Sequence, residues 1–210
     1  MRNHRALCYS PTARLDSCKF FRNYRSPTQV TQNVTVLEAL RVACAIPGML
    51  PTVSIGPKGF EETVMSAGNG FANLIREVIK EAYQVFGAKT QISYILNIGS
   101  GFRGVMALDD GNNVVRAASM DCERVARDVT RNLARLRIYY RLSVDRGLEG
   151  WGPFRTDFGA MKSHVDEYLG RDDPSGVMDH CIAASFREGG VSLDKICTSL
   201  TFTVPLADFA

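Results

Sequence analysis

The chain has 210 residues, with 25 Lys and Arg against 22 Asp and Glu for a formal net charge of +3, and 45% of it is hydrophobic. That length suits one domain, or one domain with an appendage, and can bury a sizeable core. The apolar content is too high for a disordered chain and the charge excess too small for a dedicated nucleic-acid binder, so no nucleic-acid partner is expected.

The first residues, Met1 to Tyr9, carry basic groups but no apolar run of the roughly seven to fifteen residues that a secretory signal needs. The most apolar stretch, residues 42–55, is interrupted by Pro47 and Pro51 and is shorter than the roughly 20 residues needed to cross a bilayer. The six cysteines, Cys8, Cys18, Cys44, Cys122, Cys181 and Cys197, form no C-x-x-C pair. This argues against a structural zinc site and a dense disulfide scaffold, and points to a reducing, cytoplasmic compartment. Without an export signal, Asn33-Val34-Thr35 is read structurally rather than as a glycosylation site.

Residues 20–27 have the character of a strand running into a loop that Pro27 ends. Thr35 and Glu38, three residues apart before an apolar pattern at 36, 37, 40, 43 and 44, predict a capping box and a helix that stops at Pro47. An irregular turn and a short strand follow over 48–57, then a Gly/Pro/Lys-rich loop to about residue 60. Apolar positions 75, 78, 79, 82, 83 and 86 predict a helix closed by Gly87. The compact apolar run 92–98, followed by Gly99-Ser100-Gly101, suits a buried parallel strand.

Residues 109–113 carry turn chemistry between two short apolar runs. Ser119 can cap a helix with apolar positions 122, 125, 126, 129, 133 and 136, and residues 139–144 alternate like a strand. Two further helices are expected at 157–169 and 174–187, the second with Asp173 as cap and Pro174 in its first turn. A last strand is expected at 200–204. The alternation of strands and helices predicts an α/β fold.

Arg124, Arg127, Arg131 and Arg135 fall at helical spacing and could meet anionic headgroups, but Asp121, Glu123 and Asp128 dilute the field, which favours a solvated face. His4, His164 and His180 lie apart, without carboxylate or cysteine at ligand spacing, and read as surface or packing residues.

The order of segments says more than any one of them. Phe21-Arg22-Asn23-Tyr24-Arg25-Ser26-Pro27, a helix running into Ala45-Ile46-Pro47-Gly48-Met49-Leu50-Pro51, then Val85-Phe86-Gly87 and Ile95-Leu96-Asn97-Ile98-Gly99-Ser100-Gly101 resemble the second half of a patatin-like phospholipase domain. Met120-Asp121-Cys122-Glu123, Tyr139-Tyr140-Arg141-Leu142-Ser143-Val144 and His164-Val165-Asp166-Glu167-Tyr168-Leu169 resemble the C-terminal helices and strand of multidomain members. The resemblance spans residues 8 to 200.

It implies an incomplete three-layer α/β/α domain, with residues 1–118 as the C-terminal half and 119–210 as a helical extension of the same domain. It also implies lipid acyl ester hydrolysis by a serine on a G-x-S-x-G elbow and an aspartate of an Asp-Gly-Gly loop, through an acyl-enzyme and with no cofactor. The chain departs from that pattern at its catalytic positions. No G-x-S-x-G occurs, and the resemblance places Met1 about halfway into the family domain, beyond the elbow and the oxyanion loop. In Val64-Met65-Ser66-Ala67-Gly68, Ser66 stands at the family's aspartate, and Ala67 and Gly68 at its two glycines. A serine hydroxyl cannot take a proton at neutral pH as a carboxylate does.

Glu61, Glu62 and Asp110 are the nearest alternative acids, and each is displaced from the motif. Asn73 matches the asparagine of the family's Asn-Pro, with Leu74 in place of the proline. The expectation is a catalytically silent patatin-like chain. The alternatives kept open are a non-catalytic lipid- or protein-binding remnant, a chain that partners its missing half, and attachment at the periphery of a membrane.

Overall fold

The computed structural model describes residues 4–14, 16–27, 32–46, 50–69, 71, 73–99, 122–147 and 157–201, and the fold is mixed α/β. β1 (Ala6–Pro11) and β2 (Lys19–Arg22) pair antiparallel, with Leu7 opposite Phe21 and Cys8 opposite Phe20. β3 (Val53–Ile55) and β4 (Glu62–Ser66) form a second antiparallel pair, and β4 joins β1 through Tyr9 opposite Ser66, giving the order β2-β1-β4-β3. Neither β1 nor β4 is expected from the sequence. Each is paired on both edges, so long-range hydrogen bonding rather than local propensity makes it a strand.

α1 (Val36–Cys44) packs on β1, β3 and β4. Its capping box is formed as expected: Glu38 N donates to Thr35 Oγ1 at 3.2 Å, and Thr35 N donates to Glu38 Oε2 at 2.7 Å. Val42 joins Tyr9, Phe21, Ile55 and Val64 in the core of this half, where the Tyr9 and Phe21 rings stack at 4.1 Å. Cys8 and Cys18, ten residues apart, are joined by a disulfide. One bridge is no dense scaffold, but it counts against the expectation of a reducing compartment.

α2 (Ile75–Phe86) ends as expected at Gly87, whose φ of 85° favours glycine, and its Ile75 and Ile79 enter a second core. The expected single strand over 92–98 is two. β5 (Gln91–Ile92) pairs antiparallel with β8 (Val191–Ser192), while β6 (Ile95–Ile98) pairs parallel with β7 (Tyr139–Leu142). The parallel direction is as expected and the burial is not: Leu96 is 41% and Ile98 73% exposed. Between β6 and β7 runs α3 (Cys122–Leu133), prolonged by a 3-10 turn at Ala134–Leu136. Its Val129 and Leu133 meet Ile79, Ile138, Leu193 and Ile196 in the second core.

α4 (Phe158–Leu169) is capped by Asp157. α5 (Asp172–Ser185) starts earlier than expected, with Arg171 rather than Asp173 at the cap. Pro174 is then its third residue, where a backbone N–H has no partner within the helix and none is lost. α6 (Leu193–Ser199) is not expected from the sequence, and buried Leu200 closes it, so no strand begins there. Residues 202–204, the loop at 109–113 and the Ser119 cap lie outside the described residues. No described helix is long and apolar enough to cross a membrane.

Candidate functional site

The loop after β4 is where the resemblance places a catalytic aspartate. There Ser66 N donates to the Ala45 carbonyl at 2.9 Å, and Ser66 Oγ accepts from Gly68 N at 3.3 Å, capping a 3-10 turn at Ala67–Asn69. Ala67 is buried. The Ser66 hydroxyl has no hydrogen bond to a His, Asp or Glu side chain among the described residues, so it is a turn-forming group without a base. The alternative acids are occupied too: Glu61 accepts from Gly59 N at 2.8 Å, and Glu62 pairs with Lys19 at 2.8 Å in partial solvent. Asp110 lies outside the described residues.

A different set of side chains converges at the carboxyl ends of the parallel strands β6 and β7, a position where open α/β sheets bind ligands. The register sets Asn97 beside Arg141. Arg141 Nη1 donates to Asn97 Oδ1 at 2.8 Å, while its Nη2 donates to Glu123 on α3. Asn97 Nδ2 donates to Tyr139 Oη at 3.0 Å and to Asn73 Oδ1 at 2.9 Å. Asn73 Oδ1 also accepts from Ile75 N at 3.2 Å, which fixes the start of α2, and Asn73 Nδ2 donates to the Cys122 carbonyl at 3.1 Å. Ser143 Oγ is 3.5 Å from Glu123 Oε1. A Cβ at Gly99 would stand 2.6 Å from both Arg141 Nη2 and Ser143 Oγ, so a larger residue there would displace these side chains.

This cluster forms the polar end of a cleft of about 360 Å³ whose walls are Leu74, Ile75 and Val78 from the start of α2 and Ile95, Leu96 and Ile98 from β6. Burial acts to lower the Arg141 pKa, but the hydrogen bond and charge of Glu123 outweigh it and hold the guanidinium charged. Burial, with Glu123 second, pushes the Cys122 thiol up, so it stays protonated and is no nucleophile. Burial also raises Tyr139 above an ordinary phenol. Ser143 Oγ donates to the same Glu123 carboxylate that pairs with Arg141. The arrangement sets the Asn73 amide beside an apolar wall, and among the described residues it shows no activated nucleophile.

A second depression, of about 590 Å³, lies over α1 between Leu37, Leu40, Arg41, Leu50 and Val53, with Leu37 60% and Leu40 54% exposed. The arginines 124, 127, 131 and 135 are all exposed, opposite buried Ala126, Val129 and Leu133. His4 stacks edge-on against Tyr24 and Phe86, and no group of metal-ligating side chains stands together among the described residues.

Of the residues singled out in the sequence, Asn73 is in the cluster and Ser66 is not. Nothing in the sequence alone marks Arg141, Glu123 or Asn97 as site residues. The available signal was a polar residue inside each of two apolar strand runs, at 97 and 141. No protein-family model, curated protein or solved structure matches the chain.

Proposed function

We propose that the chain is a member of the patatin-like lipid acyl hydrolases that binds lipid acyl esters without cleaving them. In this reading residues 1–118 are the C-terminal half of an incomplete three-layer α/β/α domain, and residues 119–210 its helical extension. One observation carries it: Asn73, Asn97, Cys122, Glu123 and Arg141, drawn from four separate segments that bear the resemblance, meet at a single cleft. The occupied Ser66 hydroxyl and the absence of G-x-S-x-G from these residues support a silent site.

The purified chain should not turn over p-nitrophenyl acyl esters or phospholipid above the buffer rate. Hydrolysis that disappears when one particular serine is replaced would overturn the silent assignment.

The exposed leucines of α1 favour a second reading, a remnant that binds at a lipid surface. Flotation with neutral or anionic vesicles tests it. Retention lost in a Leu37→Glu, Leu40→Glu double variant supports this reading, and no retention of the unaltered chain rejects it.

A further inference from the structure

We infer that the free edge of β6 pairs antiparallel with the same edge of a second copy of this chain. This is independent of the lipid reading, since it concerns main-chain groups at the edge of the sheet. Ile95 N donates to the Ile138 carbonyl at 2.6 Å and Gly99 N to the Leu142 carbonyl at 2.8 Å, so the odd-numbered residues of β6 turn their main chain towards β7. The residues between them turn theirs the other way. Among the described residues β6 has no strand neighbour but β7, and the N–H and C=O groups of Leu96 and Ile98 have no hydrogen-bond partner. The outer side of β7 is closed: α5 packs on it, and Ser143 N donates to Tyr168 Oη at 3.1 Å. The sheet can therefore grow at β6 alone.

The surroundings of that edge suit an added strand. The consecutive residues Ile95 to Gly99 all line the cleft of about 360 Å³, so the cleft runs along the edge of β6 rather than over one face, and Leu74 and Val78 add walls from the start of α2. Asn97 is held by Asn73, Tyr139 and Arg141, which keeps β6 extended before anything binds. The usual protections of an edge are missing: residues 91–99 contain no Pro and no charged side chain, while Leu96 and Ile98 are exposed. A row of unpaired main-chain groups beside an apolar groove is matched by an extended chain, as in β-strand addition.

The occupant is a second copy because β6 complements itself. The one charged side chain lining the cleft, Arg141, is paired with Glu123, so a strand that carried charge would have to lose its hydration against Leu74, Val78, Leu96 and Ile98 without a partner. Residues 91–99 carry none. A two-fold axis normal to the sheet at Leu96 lays the two strands antiparallel, with Leu96 opposite its own copy and Tyr94 opposite the partner's Ile98. The outward groups of both strands are then satisfied by about six inter-chain hydrogen bonds. Each pairing of exposed Tyr94 with Ile98 sets an aromatic ring against a β-branched side chain, a favourable cross-strand neighbour. Because each β6–β7 sheet offers one open edge, the contact closes on itself and gives a dimer with strand order β7-β6-β6-β7.

The test is sedimentation equilibrium of the full chain over roughly 1–100 μM, where the unaltered protein should become dimeric. Leu96→Lys and Leu96→Glu each set like charges face to face and should weaken the dimer about tenfold or more, while an equimolar mixture of the two should restore it as a heterodimer. Ile98→Pro removes an N–H that points away from β7, so it should spare the β6–β7 pair and abolish the dimer. Leu37→Glu on α1 should leave the dimer unchanged. If circular dichroism shows that Ile98→Pro fails to fold, the Leu96 variants decide alone. A chain that stays monomeric at the highest concentration overturns the inference, as does a dimer that survives both Leu96 variants or is lost in Leu37→Glu instead. A mixture that stays monomeric overturns the two-fold pairing at Leu96, and oligomers beyond the dimer overturn the closed contact.

Discussion

Glu81 carries a carboxylate into the interior of α2, where its side chain is 8% exposed and that of its partner Arg22 is 1% exposed. Arg22 Nε and Nη2 donate to it at 2.5 and 2.7 Å, and Tyr24 Oη donates at 2.9 Å. Glu81→Gln would take away the carboxylate that pairs with the buried Arg22 guanidinium, at a cost of about 3–5 kcal/mol. A fall of that size in the stability extrapolated from urea unfolding is the expected outcome; an unchanged midpoint would mean the pair is solvated. The same carboxylate acts on Tyr24. Burial first, then the Glu81 hydrogen bond and charge, push its phenol up to about 12 from 10.0, and burial does the same to Tyr9. These groups bind their protons more tightly folded than unfolded, so their stabilisation is intact below pH 10 and is lost as pH rises from about 10 towards 12. Tyrosinate absorbance should show Tyr9, Tyr24 and Tyr139 titrating late and together with alkaline unfolding.

At the level of elements, stability resides in caps where the helix face itself is thinly buried. α1 buries only Val42 fully and leaves Val36, Leu37 and Leu40 exposed, so its reciprocal Thr35–Glu38 cap carries a large share of its local order. Thr35→Ala should cost about 1 kcal/mol in chemical denaturation. That cap, the Gly87 terminus of α2 and the helix at 158–169 were legible in the sequence because capping chemistry is local and periodic. β1, β4 and α6 are not, because the β1–β4 pairing and the core that α6 packs into bring together residues more than fifty positions apart. The run at 92–98 reads as a buried strand, yet burial depends on what packs over it, and Leu96 and Ile98 face open space on one side. The candidate site divides the same way. Asn73 was flagged by its motif, whereas the Arg141–Glu123 pair exists only once α3 is laid against β7.

Across the whole molecule, two apolar cores, one under the antiparallel sheet and one around α2, α3 and α6, are tied by the Arg22–Glu81 pair between β2 and α2. The Cys8–Cys18 bridge constrains only the first of them, closing a short loop in the unfolded chain. Reduction should therefore lower stability by about 2–3 kcal/mol in denaturant unfolding with and without a thiol. The parallel pairing of β6 with β7 carries a kinetic consequence. Tyr9 of β1 meets Lys19 of β2, ten residues on, but Asn97 meets Arg141 across 44. Contacts of long sequence separation form late, because the chain must order before they reward it. The β1–β2 pair should therefore gain amide protection in pulse-labelled refolding before β6 does, so the cleft is assembled only after that local pair has formed.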